Sequence, residues 1–150
     1  MNNKDVLDEL FASDAKIIAD SMSRVNYFSK IYSLYYLNKA DSVFDILISR
    51  APDSYSGYRY KALTKHAITP EIESGLAKPY YEKVVEIITN SKDELSTSEK
   101  RVLLEAYNYL GYYFYMKSDK ENTILLWTKV LELDPDNKNA KLVLEDMAKK

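Results

Sequence analysis

From Tyr107 to Pro135 the chain reads YNYLGYYFYMKSDKENTILLWTKVLELDP, and the spacing inside this stretch decides the fold. Tyr107, Leu110, Gly111 and Phe114 stand as aromatic-x2-Leu-Gly-x2-aromatic. A short polar gap comes next, then Thr123, Trp127 and the closing Pro135. Apolar residues three and four apart share one face of a helix. Thr123 and Trp127 stand one turn apart on a second helix, which Pro135 cannot continue. The pattern reads as two helices joined by a short gap.

Working outward, the flanking residues supply the starts and stops. Val102, Leu103, Leu104, Ala106, Leu110 and Phe114, with the Tyr residues among them, make the region from Glu99 to Met116 apolar on almost every side. A helix with so narrow a polar stripe packs on two or more faces. Ser96 with Glu99 has capping-box spacing at its start, and Ser118 with Glu121 repeats the device before a helix over 119–133. In that helix Ile124, Trp127, Val130 and Leu131 share a face by 3.6 periodicity. Asp134-Pro135-Asp136-Asn137 stops it, and Asp136 or Asn137 caps the next helix. From Lys138 to Lys150, Ala140, Val143, Leu144 and Met147 face inward while Lys, Glu and Asp face out, as a terminal solvating helix requires.

The motif from Tyr107 to Pro135 resembles the tetratricopeptide repeat (TPR), a two-helix unit of about 34 residues. Two further units fit upstream. Ala40, Phe44 and Pro52 repeat the mutual spacing of Thr123, Trp127 and Pro135, with the Tyr-rich run from Met22 to Leu37 as the partner helix. Tyr60, Leu63 and Ala67 take first-helix positions after Pro52, with Thr64 in place of Gly, and Ala77 and Tyr81 take second-helix positions. Between them Thr69-Pro70-Glu71 predicts an extra capped turn, Gly75 a break, and Pro79 the first turn of the next helix. Gly75 to Val84 and Glu105 to Tyr113 are also similar to the C-terminal part of longer bacterial multi-TPR proteins. The resemblance implies an all-α, right-handed solenoid of about three helix pairs, 22–52, 54–91 and 98–137, ending in a capping helix over 138–150. The whole chain is then a single helical-repeat domain.

Composition agrees with helices and excludes several classes. The 150 residues suffice for one buried core, and 46% hydrophobic with 29% charged residues argues against disorder. Three Gly and four Pro are too few for a turn-rich β fold. A net charge of −2 with interspersed signs offers no basic stripe for nucleic acid. The absence of Cys removes disulfides, thiolate catalysis and thiolate metal sites. No apolar run reaches the ~20 residues of a membrane span. No signal peptide is visible either, so the cytoplasm is favoured slightly, the periplasm remaining open for a fragment of an exported protein. Isolated Gly57, Gly75 and Gly111 build no phosphate loop or dinucleotide fingerprint. The single His66 lacks a second ligand or partnered nucleophile and reads as an exposed or groove-edge residue. Asp134, Asp136 and Glu145 match three positions of a calcium-loop template, but Lys138 and Asn139 stand where a ligand and Gly are needed. No catalytic residue, cofactor or metal is expected, and the chain is not expected to be an enzyme.

What remains is binding. Fourteen Tyr residues offer large apolar area with a polar tip, which suits both helix seams and peptide grooves. Glu105, Asn108, Tyr112 and Tyr115 fall at i, i+3, i+7 and i+10, one helical stripe carrying polar residues in consecutive turns. The resemblance implies that first helices line a concave face, which carries this stripe and Tyr58, Lys61 and Lys65 into a groove. Tyr112 and Tyr115 suit a core seam equally well. A clamp for a C-terminal carboxylate is rejected, since Tyr109 stands where a second Asn belongs. The leading expectation is therefore a protein-interaction module taking a peptide or protein segment in a Tyr-lined groove. The alternative is a structural, homo-oligomerising scaffold domain of a larger multi-TPR protein, a homodimer forming through an uncapped end near Val6 to Phe11.

Overall fold

A computed structural model describes residues 3–91 and 94–149 of the chain, with side chains over 20–90 and 94–149. The described residues form six α-helices and one 3-10 turn, without a strand. In order these are α1 (Asn3–Arg50), α2 (Tyr55–Ile68), the turn Ile72–Ser74, α3 (Lys78–Ser91), α4 (Thr97–Met116), α5 (Lys120–Leu133) and α6 (Lys138–Lys149). By internal contacts the chain divides into two units, residues 1–36 and 37–150.

The first unit contains only helix α1 up to Tyr36. Its described side chains are held by local contacts. Arg24 pairs with Asp20 at 3.3 Å, and Tyr27 meets Phe28, and Tyr35 meets Tyr36, edge to face. The side chains of Val6 to Phe11, the expected association end, lie outside the described residues.

Here the expectation for 22–52 is corrected. The region holds no helix pair, because α1 continues from the Tyr-rich run through Arg50 without a turn. No Gly or Pro occurs between Met1 and Ala51, so no strong helix breaker stands at the expected joint. The polar residues there stay within the helix: the Ser42 hydroxyl donates to the Asn38 carbonyl at 3.2 Å. Pro52 is the first residue that forbids continuation, and α1 stops just before it.

The second unit begins at Leu37 and stacks each helix from α2 onward against the next. Ala62, Ala77, Tyr81, Val84, Ile88, Leu103, Ala106, Trp127 and Val130 form its buried centre. Trp127 is fully buried, and truncating such a ring costs about 3–5 kcal/mol. Gly111 explains how the ring fits. A Cβ there would stand 2.9 Å from the Trp127 Nε1 and 3.0 Å from its Cε2. Ile124, by contrast, is exposed, because α5 turns only its 123, 127 and 130 line fully inward.

The helix ends show which polar signals act as caps. Ser96 and Glu99 form a complete capping box at α4. At α5 the cap shifts by one residue: the Asp119 side chain accepts from the Asn122 amide at 3.1 Å, while Ser118 adopts φ 59°. Asn137 caps α6 by accepting from the Ala140 amide at 3.0 Å. Gly75, with φ 70°, closes the 3-10 turn and lets the chain enter α3.

Candidate binding face

The first helices of the two observed pairs, α2 and α4, carry all seven groove candidates. Only part of the set comes together. Glu105 is the centre: its Oε2 accepts from the Arg59 guanidinium at 2.6 Å, and its Oε1 accepts from the Tyr81 hydroxyl at 3.2 Å. Glu105 and Arg59 each have 27% of the side chain exposed, so the pair stands at the rim of the α2–α3–α4 seam. The hydrogen bond to Glu105 raises the Arg59 pKa, whereas burial, foremost, raises that of Tyr81. The cluster is therefore a salt bridge between Arg59 and Glu105 with a neutral phenol donating to it.

Lys61 and Lys65 point elsewhere. Lys61 is only 4% exposed, and its ammonium pairs with the Asp45 carboxylate and, at 3.5 Å, with that of Asp41. Lys65 reaches the same Asp41 at 2.9 Å. These bonds tie α2 to the C-terminal part of α1 within the second unit. Burial opposes the Lys61 charge, but the Asp45 hydrogen bond and the nearby Asp41 outweigh it and hold the pKa above its ordinary value. Phe44 stacks on Tyr60 at 5.5 Å in the same seam, and a Cβ at Gly57 would stand 2.9 Å from the Ile48 side chain. The sequence spacing carries no sign of this ion-pair cluster, because the meeting of Asp41 and Asp45 with Lys61 and Lys65 depends on how α1 packs on α2.

The remaining candidates have mixed environments. The Asn108 amide donates to the Leu104 carbonyl one turn back, at 2.7 Å. Tyr112 sets its ring edge-on to Trp127 at 4.8 Å and packs on the core. The Tyr115 hydroxyl donates to Asp146 of α6 at 3.0 Å. Tyr58 packs against the core from α2. His66, half-buried, lies edge-on to Tyr109 at 5.4 Å, and Tyr109 in turn meets Tyr81 at 4.9 Å. Arg59 and Tyr81 are the members absent from the groove expectation: Arg59 sits beside the motif position Tyr60, Tyr81 is itself a motif position, and only the α2–α3–α4 packing reveals their convergence on Glu105.

Among the described residues no group of three or more His, Cys, Asp or Glu is arranged to hold a metal ion. Among them too, no helix is long and apolar enough to cross a membrane.

Helices stacked each on the next, with glycine at the close crossings and a polar-faced helix at the C-terminal end, define an α-helical repeat scaffold. No family model matches the chain, and no curated protein does either. Among solved structures, the C-terminal part of a TPR repeat-containing protein from Cytophaga hutchinsonii is similar. It is 37% identical with a TM-score of 0.65, over 72% of this chain and 40% of that one. The chain is a TPR-like protein, and the organism of this relative points to a bacterial origin. It spans 40% of the length of that relative. The likeness suggests a protein-interaction or scaffold role.

Proposed function

We propose that the chain binds a peptide or protein segment along the α2 and α4 helices and carries no catalysis of its own. The lining set is Glu105, Asn108, Tyr112 and Tyr115 from α4 with Tyr58, Lys61 and Lys65 from α2. Within it the roles differ. Glu105 and Asn108 meet the ligand's polar groups, Tyr58, Tyr112 and Tyr115 supply apolar area, and Lys61 and Lys65 hold α2 in place through Asp41.

One observation carries this reading: the partly exposed Arg59–Glu105 pair, with Tyr81 donating to it, at the rim of three helices. Such a pair offers a ligand one cation and one anion already oriented. An incoming backbone amide can be accepted by Glu105 while an incoming carbonyl or carboxylate takes a donor from Arg59.

The test is selection of peptides from a random displayed library, followed by titration against Glu105→Ala and Asn108→Ala. Tyr112 is left intact because its ring supports Trp127. Glu105→Ala is expected to weaken the selected peptides by about tenfold or more, the scale of one lost charged hydrogen bond, and Asn108→Ala by about fivefold, the scale of a neutral one. Peptides whose affinity is the same for wild type and both variants would place the binding face elsewhere.

A further inference from the structure

In the first unit, eight large apolar side chains of α1 stand exposed in one short stretch: Met22, Val25, Phe28, Ile31, Tyr32, Tyr35 and Tyr36, which share a side, and Tyr27, which does not. The four rings of the shared side are 56, 62, 55 and 66% exposed in chain order. Scattered exposed apolar residues are ordinary, but a contiguous patch of this size on a protein surface is not. Their spacing is ordered as well. With Val25 and Tyr32 at a, Phe28 and Tyr35 fall at d, Met22 and Tyr36 at e, and Ile31 at g of one heptad frame. Of the polar residues, Ser23, Asn26, Lys30 and Ser33 fall at the outer b and f positions, while Arg24 at g and Ser29 at e flank the seam.

We infer that this face of α1 pairs with the same face of a second copy of the chain, antiparallel, in a two-fold symmetric helix pair. In that direction each seam tyrosine meets a side chain without a hydroxyl. An antiparallel pair centred at residue 30 sets Val25 opposite the second copy's Tyr35, and Phe28 opposite its Tyr32. The same register sets Met22 beside Tyr36 along one edge and Ile31 near its own counterpart along the other. Lys30, at f, points away from the axis, so the two-fold brings no lysine into the seam. A parallel pair would instead stack Tyr32 on Tyr32 and Tyr35 on Tyr35, hydroxyl against hydroxyl, and leave Val25 against Val25.

Area favours a second copy. At roughly 150–250 Å² per aromatic side chain, the exposed parts of the four rings come to about 500 Å² per copy. The three aliphatic side chains bring this toward ~800 Å² per copy, the share one partner contributes to a standard stable interface. A two-fold contact of this kind closes on itself and leaves no patch for further growth.

Sedimentation analysis of the full chain over a dilution series tests this directly. The expected result is a monomer–dimer equilibrium in wild type, and a shift to monomer by at least tenfold in the dissociation constant for Phe28→Lys with Tyr32→Lys. Helicity by circular dichroism and Trp127 fluorescence should be unchanged in that variant, since the second unit is untouched. Tyr27→Lys, at the outer c position, should dimerise as wild type does. Orientation is read by oxidation, because the chain has no native cysteine. A mixture of Phe28→Cys and Tyr32→Cys chains should link to one another rather than each to itself. A wild-type chain that stays monomeric at high concentration overturns the inference, as do a dimer indifferent to the two lysines and preferential linking of Phe28→Cys chains to themselves.

Discussion

Replacing Gly111 should destabilise the second unit even though it improves helix propensity, and the two effects can be weighed. An Ala in place of Gly in a helix interior gains about 1 kcal/mol. Against this, the new Cβ would meet Trp127 Nε1, Cε2 and Cδ1 at 2.9, 3.0 and 3.3 Å. The indole is rigid, fully buried and held edge-on by Tyr112, so it has no rotamer into which to retreat. Overpacking of this kind costs about 1–3 kcal/mol, which leaves Gly111→Ala destabilised by roughly 1 kcal/mol and Gly111→Val by about 2 or more. A change of about 1 kcal/mol lowers Tm by several degrees in a chain of this size. Urea unfolding followed by far-ultraviolet circular dichroism measures it, in both the wild-type and a Trp127→Phe background. In the smaller-ring background the penalty for Gly111→Ala should fall by about 1 kcal/mol, a coupling within the range for residues in contact. If Gly111→Ala matches or exceeds wild type, or costs the same in both backgrounds, Gly111 is not there to admit Trp127.

The polar clusters and the tight turn have consequences of their own. Lys61 has its pKa raised in the fold, so its contribution is fully present below its ordinary value of 10.5 and is lost as pH rises past it. Stability measured by urea midpoint should therefore fall above pH 10.5 more steeply in wild type than in Lys61→Met, the buried tyrosines acting equally in both. Glu105→Gln keeps an acceptor for Tyr81 but loses the charged pairing with Arg59, and should cost about 1 kcal/mol in the same midpoint measurement. Gly75→Ala places a side chain at φ 70° and a Cβ 2.9 Å from the Tyr113 ring; a loss of about 1–2 kcal/mol by thermal melting is expected.

The sequence is most readable where one residue has one physical use. Gly111 opposite Trp127, Pro135 after α5 and Ser96 with Glu99 at α4 each state a local requirement that no distant contact can change. It misleads where a weaker signal has to mark a boundary. Asn38 and Lys39 cost a helix only a few tenths of a kcal/mol each, so the mutual spacing of Ala40, Phe44 and Pro52 does not by itself break α1. The repeat spacing is nonetheless informative about that segment, because Phe44 packs on Tyr60 as a second-helix ring packs on the first helix of the next unit.

The candidate site shows a different limit. Helical spacing tells which side chains share a face, but not whether a neighbouring helix already occupies it. Glu105, Asn108, Tyr112 and Tyr115 do lie along one line of α4, yet α5 takes the Tyr112 ring through Trp127 and α6 takes the Tyr115 hydroxyl. Glu105 is met by two other helices at once, from Arg59 and Tyr81. The N-terminal run is the converse case. Spacing alone assigns its rings to a helix seam, and in the first unit they are exposed at heptad positions. The antiparallel register at residue 30 is the sharper test of that pattern, since it uses seven residues that stand exposed in the first unit.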